Sequence, residues 1–227
     1  MNSIYKKTLG ADFNKLHPKI QERFGFNSDK KIAAIGNGIM AKVWYGKFYT
    51  LPFLYIGTWR NIMFPQKGKN IPFTIQNYAY KDGYGRETVT WIRKYQFPNK
   101  TRRFDATMIY SNKRKCIVDY LGTHQHLAVD IKMSINANGG IQLKSGEQRF
   151  HEGFLSFIFP QFFTGNASVC EWYDDKEEKF KISVVVKNKL WGALFGYEGS
   201  FDVKYIDVNA KDEIPKEVLP VREEKRE

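Results

Sequence analysis

The chain has 227 residues, of which 42% are hydrophobic and 16% aromatic, a composition that excludes an intrinsically disordered protein. Its formal net charge of +12 favours polyanionic partners, either nucleic acid or anionic lipid headgroups. Neither a signal peptide nor an apolar stretch long enough to span a bilayer is evident in the sequence. We therefore expect a cytoplasmic protein, with peripheral contact with an anionic membrane as the alternative.

The first predicted element is an N-terminal helical segment over about residues 11–25. Apolar residues recur there at intervals of three and four, at Phe13, Leu16, Ile20 and Phe24. Pro18 suits the first turn of a helix, and Gly25 suits its end. The apolar period then changes to two, and residues 39–45 are predicted to form a strand.

An aromatic-rich segment, residues 48–64, follows and is predicted to contain a short helix. The remainder of the chain alternates apolar and polar residues between turn signals, which is typical of strands. The predicted strands lie near residues 72–80, 87–97, 102–110, 116–121, 126–136, 141–150, 167–173, 179–187 and 197–207. Since no long helical pattern separates them, neighbouring strands should pair in antiparallel order.

These elements predict a mainly β fold, namely a curved antiparallel sheet or barrel-like domain with an N-terminal helical segment. Sheets of nine or ten strands tend to curl, and a curled sheet can enclose a ligand where side chains do not fill it. We expect residues 1–207 to form one domain. Residues 208–227 are rich in charge and contain two prolines, so a mobile tail is predicted there.

Residues 153–170 contain no charged side chain, although 26% of the chain is charged. Five of them are phenylalanine: Phe154, Phe157, Phe159, Phe162 and Phe163. Pro160 and Gly165 interrupt the segment, so it does not read as a membrane-spanning helix. Such a segment must be covered by the fold, by a ligand or by a lipid surface.

A series of short motifs resembles a known family. In chain order they are Leu16–Phe24 (LHPKIQERF), Gly38-Ile39-Met40, Ile71-Pro72-Phe73, Trp91–Tyr95 (WIRKY), Tyr120-Leu121-Gly122 and Gly139-Gly140. Together they resemble the bacterial family called domain of unknown function 4166, over most of residues 11–207. The resemblance implies neither an activity nor a set of catalytic residues.

The strand around Trp91 carries the most informative local pattern. Alternation places Arg93 between Trp91 and Tyr95 on one inward face. A buried guanidinium is costly without a counter-charge, so Arg93 should meet an anion. The anion could be an internal carboxylate, with Glu147 and Glu171 as candidates. The alternative is the carboxylate or phosphate of a ligand held in an apolar cavity.

Other motifs do not point to chemistry. His124 and His126 alternate on a strand and could join His151, but no carboxylate or cysteine stands at a diagnostic spacing, so no metal site is predicted. No phosphate loop, dinucleotide fingerprint or nucleophile elbow is present, and we expect no cofactor and no catalytic residue. Nucleic acid is an unlikely partner by this reasoning, because most aromatics belong to faces that should be buried.

The sequence thus favours non-catalytic binding of an apolar or amphiphilic, lipid-like ligand in a concave β face. The predicted ligand-binding residues are Trp91, Arg93, Tyr95 and Glu147 in the concavity and Phe157 and Trp191 as gates. One alternative is a small enzyme that acts on a lipid-like substrate through Arg93 and Glu147. Another is an interaction module that docks a membrane or protein partner through the aromatic segments.

Overall fold

The computed structural model describes residues 2–160, 162, 164–208 and 214–227. Its α-helices are α1 (Ile4–Leu9), α2 (Pro18–Gly25) and α3 (Leu51–Trp59), with short 3-10 turns at Gly10–Lys15, Ser28–Lys30 and Phe48–Thr50. Its strands are β1 (Ile32–Tyr45), β2 (Gly68–Lys81), β3 (Glu87–Phe97), β4 (Lys100–Ser111), β5 (Cys116–Leu121), β6 (Leu127–Ile135), β7 (Ile141–Glu152), β8 (Leu155–Ile158), β9 (Asn166–Asp174), β10 (Lys179–Asn188) and β11 (Gly192–Asp207).

Ten of these strands close into an antiparallel barrel. The order around the wall is β6-β5-β4-β3-β2-β1-β11-β10-β9-β7, and a pairing between β6 and β7 closes the ring. β8 extends β7 as a short hairpin outside the ring. The predicted barrel-like antiparallel fold is therefore confirmed, with each strand of the ring paired on both sides over at least part of its length.

The N-terminal helical segment is confirmed, although it starts earlier than predicted. α1 begins at Ile4, and α2 begins with Pro18 in its first turn and includes Gly25 as its last residue. Both helices close one end of the barrel, where Tyr5 and Phe24 pack on Trp91. At the same end the backbone N–H of His17 donates to the carbonyl of Gly139, 2.8 Å away, in the β6–β7 turn.

The opposite end of the barrel, which we call the α3 end, carries the less regular connections. They are residues 46–67 with α3, the β3–β4 turn at 98–99, residues 122–126, the β8 hairpin with residues 159, 160, 162, 164 and 165, and the β10–β11 turn at 189–191. Gly122 has a positive φ of 75°, and a Cβ there would lie 2.2 Å from the Arg60 carbonyl oxygen. The segment after α3 thus packs tightly on the β5–β6 connection.

Residues 214–227 pack against the outside of the barrel, where the sequence predicted a mobile tail. Ile214 and Val218 are buried against Tyr78, Tyr80 and Ile92. This cover explains why β3 is buried on both faces, although an ordinary barrel strand alternates. Residues 209–213 of the predicted tail lie outside the described residues, as does Phe163.

One β-bulge determines which side chains of β7 point inward. Ile131 of β6 faces Ser145, whereas Val129 faces Gln148, so Gly146 and Glu147 together oppose Asp130. An extra residue shifts the inside–outside alternation by one position. Gln148 is therefore buried and Glu147 exposed, the reverse of what strict alternation from Ile141 predicts.

Candidate functional site

A cavity of about 170 Å³ lies inside the barrel on the side of β3 to β10. Its wall is mainly aliphatic and aromatic and includes Met63, Phe104, Met108, Leu121, Leu127, Ile131, Leu143, Val169, Val184 and Val186. Four polar or charged side chains also line it: Arg93, Asp119, Ser145 and Gln148. Since so few polar groups converge in an apolar cavity, these four determine what the cavity can recognise.

The side of the barrel formed by β1, β2 and β11 is filled by aromatic rings. Tyr95 packs on Phe64, Phe73 and Tyr197 at ring-centroid distances of 5.0 to 5.2 Å. Phe73 continues the cluster to Phe201. This packing leaves the unfilled volume to the other side.

Arg93 contributes a buried positive charge to the cavity wall. Its Nε donates to the Phe104 carbonyl at 3.0 Å, and its Nη1 donates to the Tyr197 hydroxyl at 3.1 Å. The guanidinium also lies 3.9 Å from the centre of the Phe104 ring. In the described part of the chain its Nη2 has no hydrogen-bond partner, and the group forms no ion pair. The two N–H donors of Nη2 are thus available to a ligand on a cation held in place by the other bonds.

Asp119 contributes the second ionisable group. It is 6% exposed, and its Oδ1 is buried without a hydrogen-bond partner among the described residues. Burial raises the pKa of the Asp119 carboxyl to about 7, while the charge of Arg93 acts in the opposite direction. Asp119 therefore changes between a neutral donor and a charged acceptor near neutral pH.

The wall beside this cavity has a seam between β7 and β9. The backbone ladder that joins the two strands runs only from Ile141↔Glu171 to Lys144↔Ser168. Beyond it, side chains make the connection: Gln148 Nε2 donates to the Gly165 carbonyl at 2.6 Å, and the Ala167 N–H donates to Ser145 Oγ at 2.8 Å.

Outside the seam lies a hollow of about 350 Å³. The hollow and the barrel cavity share three lining residues, Ser145, Gln148 and Phe159. Among the described residues, these three form the boundary that the two spaces have in common.

The structure brings together two of the six predicted ligand-binding residues. Trp91 and Arg93 both line the cavity, and Trp91 Nε1 donates to the Tyr5 hydroxyl at 2.9 Å. Tyr95 lies in the aromatic cluster and does not line the cavity. Phe157 lies on β8, 46% exposed, and Trp191 lies in the β10–β11 turn beside Tyr49.

The predicted ion pair of Arg93 with Glu147 or Glu171 is wrong, although the charge of Arg93 lowers the pKa of Glu171 through space. Glu147 was displaced to the outside by the bulge, where it pairs with Arg114 and with Arg149. Glu171 is buried at the helical end and pairs with Arg23 of α2. The carboxyl that shares the cavity with Arg93 is that of Asp119.

Sequence reasoning missed Asp119, Ser145 and Gln148 as cavity residues. For Asp119 a signal was available, because it alternates with Ile117 and Leu121 inside an apolar strand. For Gln148 none was, since its inward position depends on the bulge.

The histidines that the sequence singled out lie near one another: the rings of His124 and His126 pack edge to face at 5.6 Å, and the His151 N–H donates to the His126 carbonyl at 2.8 Å. His126 Nε2 lies 2.7 Å from Glu152, and His151 Nδ1 lies 3.0 Å from the Ser156 hydroxyl. His124 shares a contact of 3.0 Å with Thr123. Within the described ranges no three His, Cys, Asp or Glu side chains are placed to hold a metal ion.

Comparison with known proteins agrees with the motifs. The family model described as domain of unknown function (DUF4166) matches residues 16–201. The chain belongs to the DUF4166 family. It is 33% identical over 201 residues to the uncharacterized protein YndH of Bacillus subtilis (strain 168), an alignment that covers 88% of this chain and 97% of that protein. No solved structure matches the chain.

Proposed function

We propose that this DUF4166 protein binds a small amphiphile with a carboxylate head and an apolar tail, as in a fatty acid. The observation that carries the proposal is that Arg93 and Asp119, both buried, face one apolar cavity without forming an ion pair. A buried guanidinium and an unpartnered buried carboxyl are each costly, and a ligand that bonds both removes part of that cost.

The chemistry of the two groups selects the head of the ligand. A carboxylate can accept a hydrogen bond from Nη2 of Arg93 and a second from Asp119 in its protonated form. A ligand ammonium would be repelled by Arg93. A purely apolar ligand would leave both buried groups without a partner.

The size of the cavity limits the enclosed part of the ligand. At about 170 Å³ it is close to the ~150 Å³ of a cavity that binds benzene, and smaller than the ~300 Å³ at which drug-sized pockets begin. The head and the first carbons of a chain fit inside. A longer chain would leave through the seam, past Phe159.

The structure gives less support to an enzyme. The hypothesis of catalysis by Arg93 and Glu147 required both groups in one pocket, and Glu147 lies on the outer surface among Arg114 and Arg149. Binding without turnover needs only the groups that line the cavity.

Octanoate binding measured by isothermal titration calorimetry tests the proposal. We expect one site per chain, abolished in Arg93→Leu, and retained in Lys144→Leu, which removes the same charge from the exposed face of β7. Cooperative unfolding of both variants shows that the fold is intact. Equal binding by wild type and Arg93→Leu, or no binding of octanoate and no co-purified carboxylic acid by native mass spectrometry, would contradict the proposal.

A further inference from the structure

Exposed apolar side chains are concentrated at the α3 end. Of the fifteen large apolar side chains that are exposed in the described part of the chain, eleven belong to the connections and the β8 hairpin at this end. We call the seven most exposed of them the apolar rim: Phe48 (81%), Tyr55 (62%), Ile56 (68%), Trp59 (79%), Phe154 (95%), Ile158 (60%) and Leu190 (64%). A concentration of this kind on one end of a protein marks an interaction surface.

The segments that carry the rim contact one another. Tyr49, beside Phe48, packs on Trp191 at 5.5 Å, and its hydroxyl donates to the Trp191 carbonyl at 3.1 Å. Trp191 in turn lies 5.9 Å from Phe162 in the segment that follows β8. The α3 segment, the β10–β11 turn and the β8 segment therefore form one continuous surface.

The connections that carry the rim contain basic residues and no acidic ones, and the nearby Glu147, in the hollow beside Ile158, is paired with Arg114 and Arg149. Residues 46–67, 98–100, 153–165 and 187–193 contain six basic and no acidic residues. The basic residues are Lys47, Arg60, Lys67, Lys100, Lys187 and Lys189. Glu152, at the base of the β8 hairpin, pairs with His126, and Glu224 of the C-terminal segment is buried between Arg222 and Arg226. Acidic turns such as Asp174–Glu178 lie at the helical end.

We propose that the apolar rim docks this protein onto the surface of an anionic lipid bilayer. Aromatic side chains surrounded by cations are typical of a surface that lies at the level of the lipid headgroups. The aromatic rings insert into the bilayer, and the cations contact the phosphates. The nine-residue α3 is too short to span a bilayer, so it lies along the interface. In the part of the chain that the structure describes, no helix combines the length and the apolarity needed to cross a membrane.

Charge distinguishes the bilayer from the other occupants. A second copy docked through the same end would place six cations against six cations, which electrostatic complementarity disfavours. Lysine is depleted in the centres of protein–protein interfaces, whereas it is favoured beside membranes.

Co-sedimentation with vesicles tests the docking surface independently of any cavity ligand. We expect binding to vesicles of phosphatidylcholine and phosphatidylglycerol (7:3), weakened by high salt, and little binding to phosphatidylcholine alone. The double variant Lys47→Ser/Lys67→Ser should lose about 25-fold in affinity, at about fivefold per cation. Its control, Lys113→Ser/Lys176→Ser, removes two exposed cations from turns at the helical end and should bind as wild type does.

A second pair of variants tests the apolar contribution. Trp59→Ser/Phe154→Ser should lose at least about tenfold in affinity for the anionic vesicles, since two large side chains no longer insert. Ile39→Ser, exposed on the barrel wall, should not change it. Equal binding to both vesicle types, no wild-type binding, or an equal loss in the control variants would overturn the proposal. So would a solution dimer that Trp59→Ser dissociates. None of these results bears on octanoate binding by the cavity.

Discussion

Arg93 and Asp119 face the same cavity from β3 and β5, with β4 between them, and they do not form an ion pair. The opposite charges attract each other through space, which lowers the free-energy cost of burying each group. Neither group, however, provides the hydrogen bonds that the other requires when buried. This arrangement differs from the buried pair of Arg23 and Glu171, whose side chains are in direct contact. Arg23 and Glu171 are joined through Nε and Oε1, while Nη1 and Nη2 of Arg23 and Oε2 of Glu171 have no hydrogen-bond partner among the described residues. What sets Arg93 and Asp119 apart is that they line the apolar cavity.

Octanoate binding should weaken as the pH rises through about 7. A bound carboxylate favours the protonated form of Asp119, so above the pKa of about 7 binding must take up a proton. Octanoate itself is ionised across this range, because carboxyl groups ordinarily ionise at about pH 4. Calorimetry in buffers of different ionisation enthalpy measures the proton uptake. The affinity of Asp119→Asn for octanoate should not change between pH 6 and 8 (about one unit on either side of that pKa). If this variant kept the pH dependence of wild type, a group other than Asp119 would cause it.

Asp119 should make stability depend on pH in the same range. Its folded-state pKa of about 7 lies above the unfolded value of about 3.9, so its contribution is fully present at low pH and is lost as the pH rises toward 7. At pH 8 the free energy of unfolding of Asp119→Asn, measured by urea titration, should therefore exceed that of wild type by a few kcal/mol at most. At pH 4 the two free energies should be close. Asp207→Asn, exposed at the end of β11, serves as the control. If Asp119→Asn differed from wild type by the same free energy of unfolding at pH 4 and pH 8, titration of Asp119 would not be the cause.

The seam should weaken when its side-chain bridge is removed. Gln148→Leu keeps the volume and deletes the donor to the Gly165 carbonyl, and an unmade buried hydrogen bond costs about 1 to 3 kcal/mol. Amide hydrogen exchange should accelerate at Ala167 and Phe159, whose N–H groups bond across this region, and octanoate should dissociate faster. Gln142→Leu, on the outer face of β7, is the matched control. Unchanged exchange at Ala167 would show that the seam is held by other contacts.

The Arg23–Glu171 pair should matter to stability alone. Arg23→Leu leaves Glu171 buried without its partner, and the expected cost is about 3 to 5 kcal/mol. Burial already raises the pKa of the Glu171 carboxyl, which Arg23 opposes. The double variant Arg23→Leu/Glu171→Leu should regain most of the loss in a urea titration. If the double variant were no more stable than Arg23→Leu, the loss in the single variant would not come from leaving Glu171 without its partner.

Much of the fold follows from local patterns in the sequence. Alternation between turn signals predicts β3 and β5 with the bounds that the structure has, because their hairpins are short and their inner faces apolar. β8 was not predictable, since residues 153–165 are apolar without alternation. Docking of the C-terminal segment was also missed, because two apolar residues, Ile214 and Val218, anchor a sequence that is otherwise charged.

The candidate site was less predictable than the fold. Arg93 could be placed inward from its own strand, but its neighbours come from strands that are distant in sequence. Which face of β7 points inward depends on pairing with β6, and local sequence does not specify that register.

The bulge at Gly146 and Glu147 has a consequence for comparing family members. A chain that lacks one of these two residues can pair regularly with β6 and still present Ser145 and Gln148 to the interior. An alignment of relatives should therefore place any one-residue gap in β7 at this point. A gap placed one residue further on would align the interior amide of Gln148 with the exterior carboxylate of Glu147. The alignment would then misstate which relatives share the lining of the cavity.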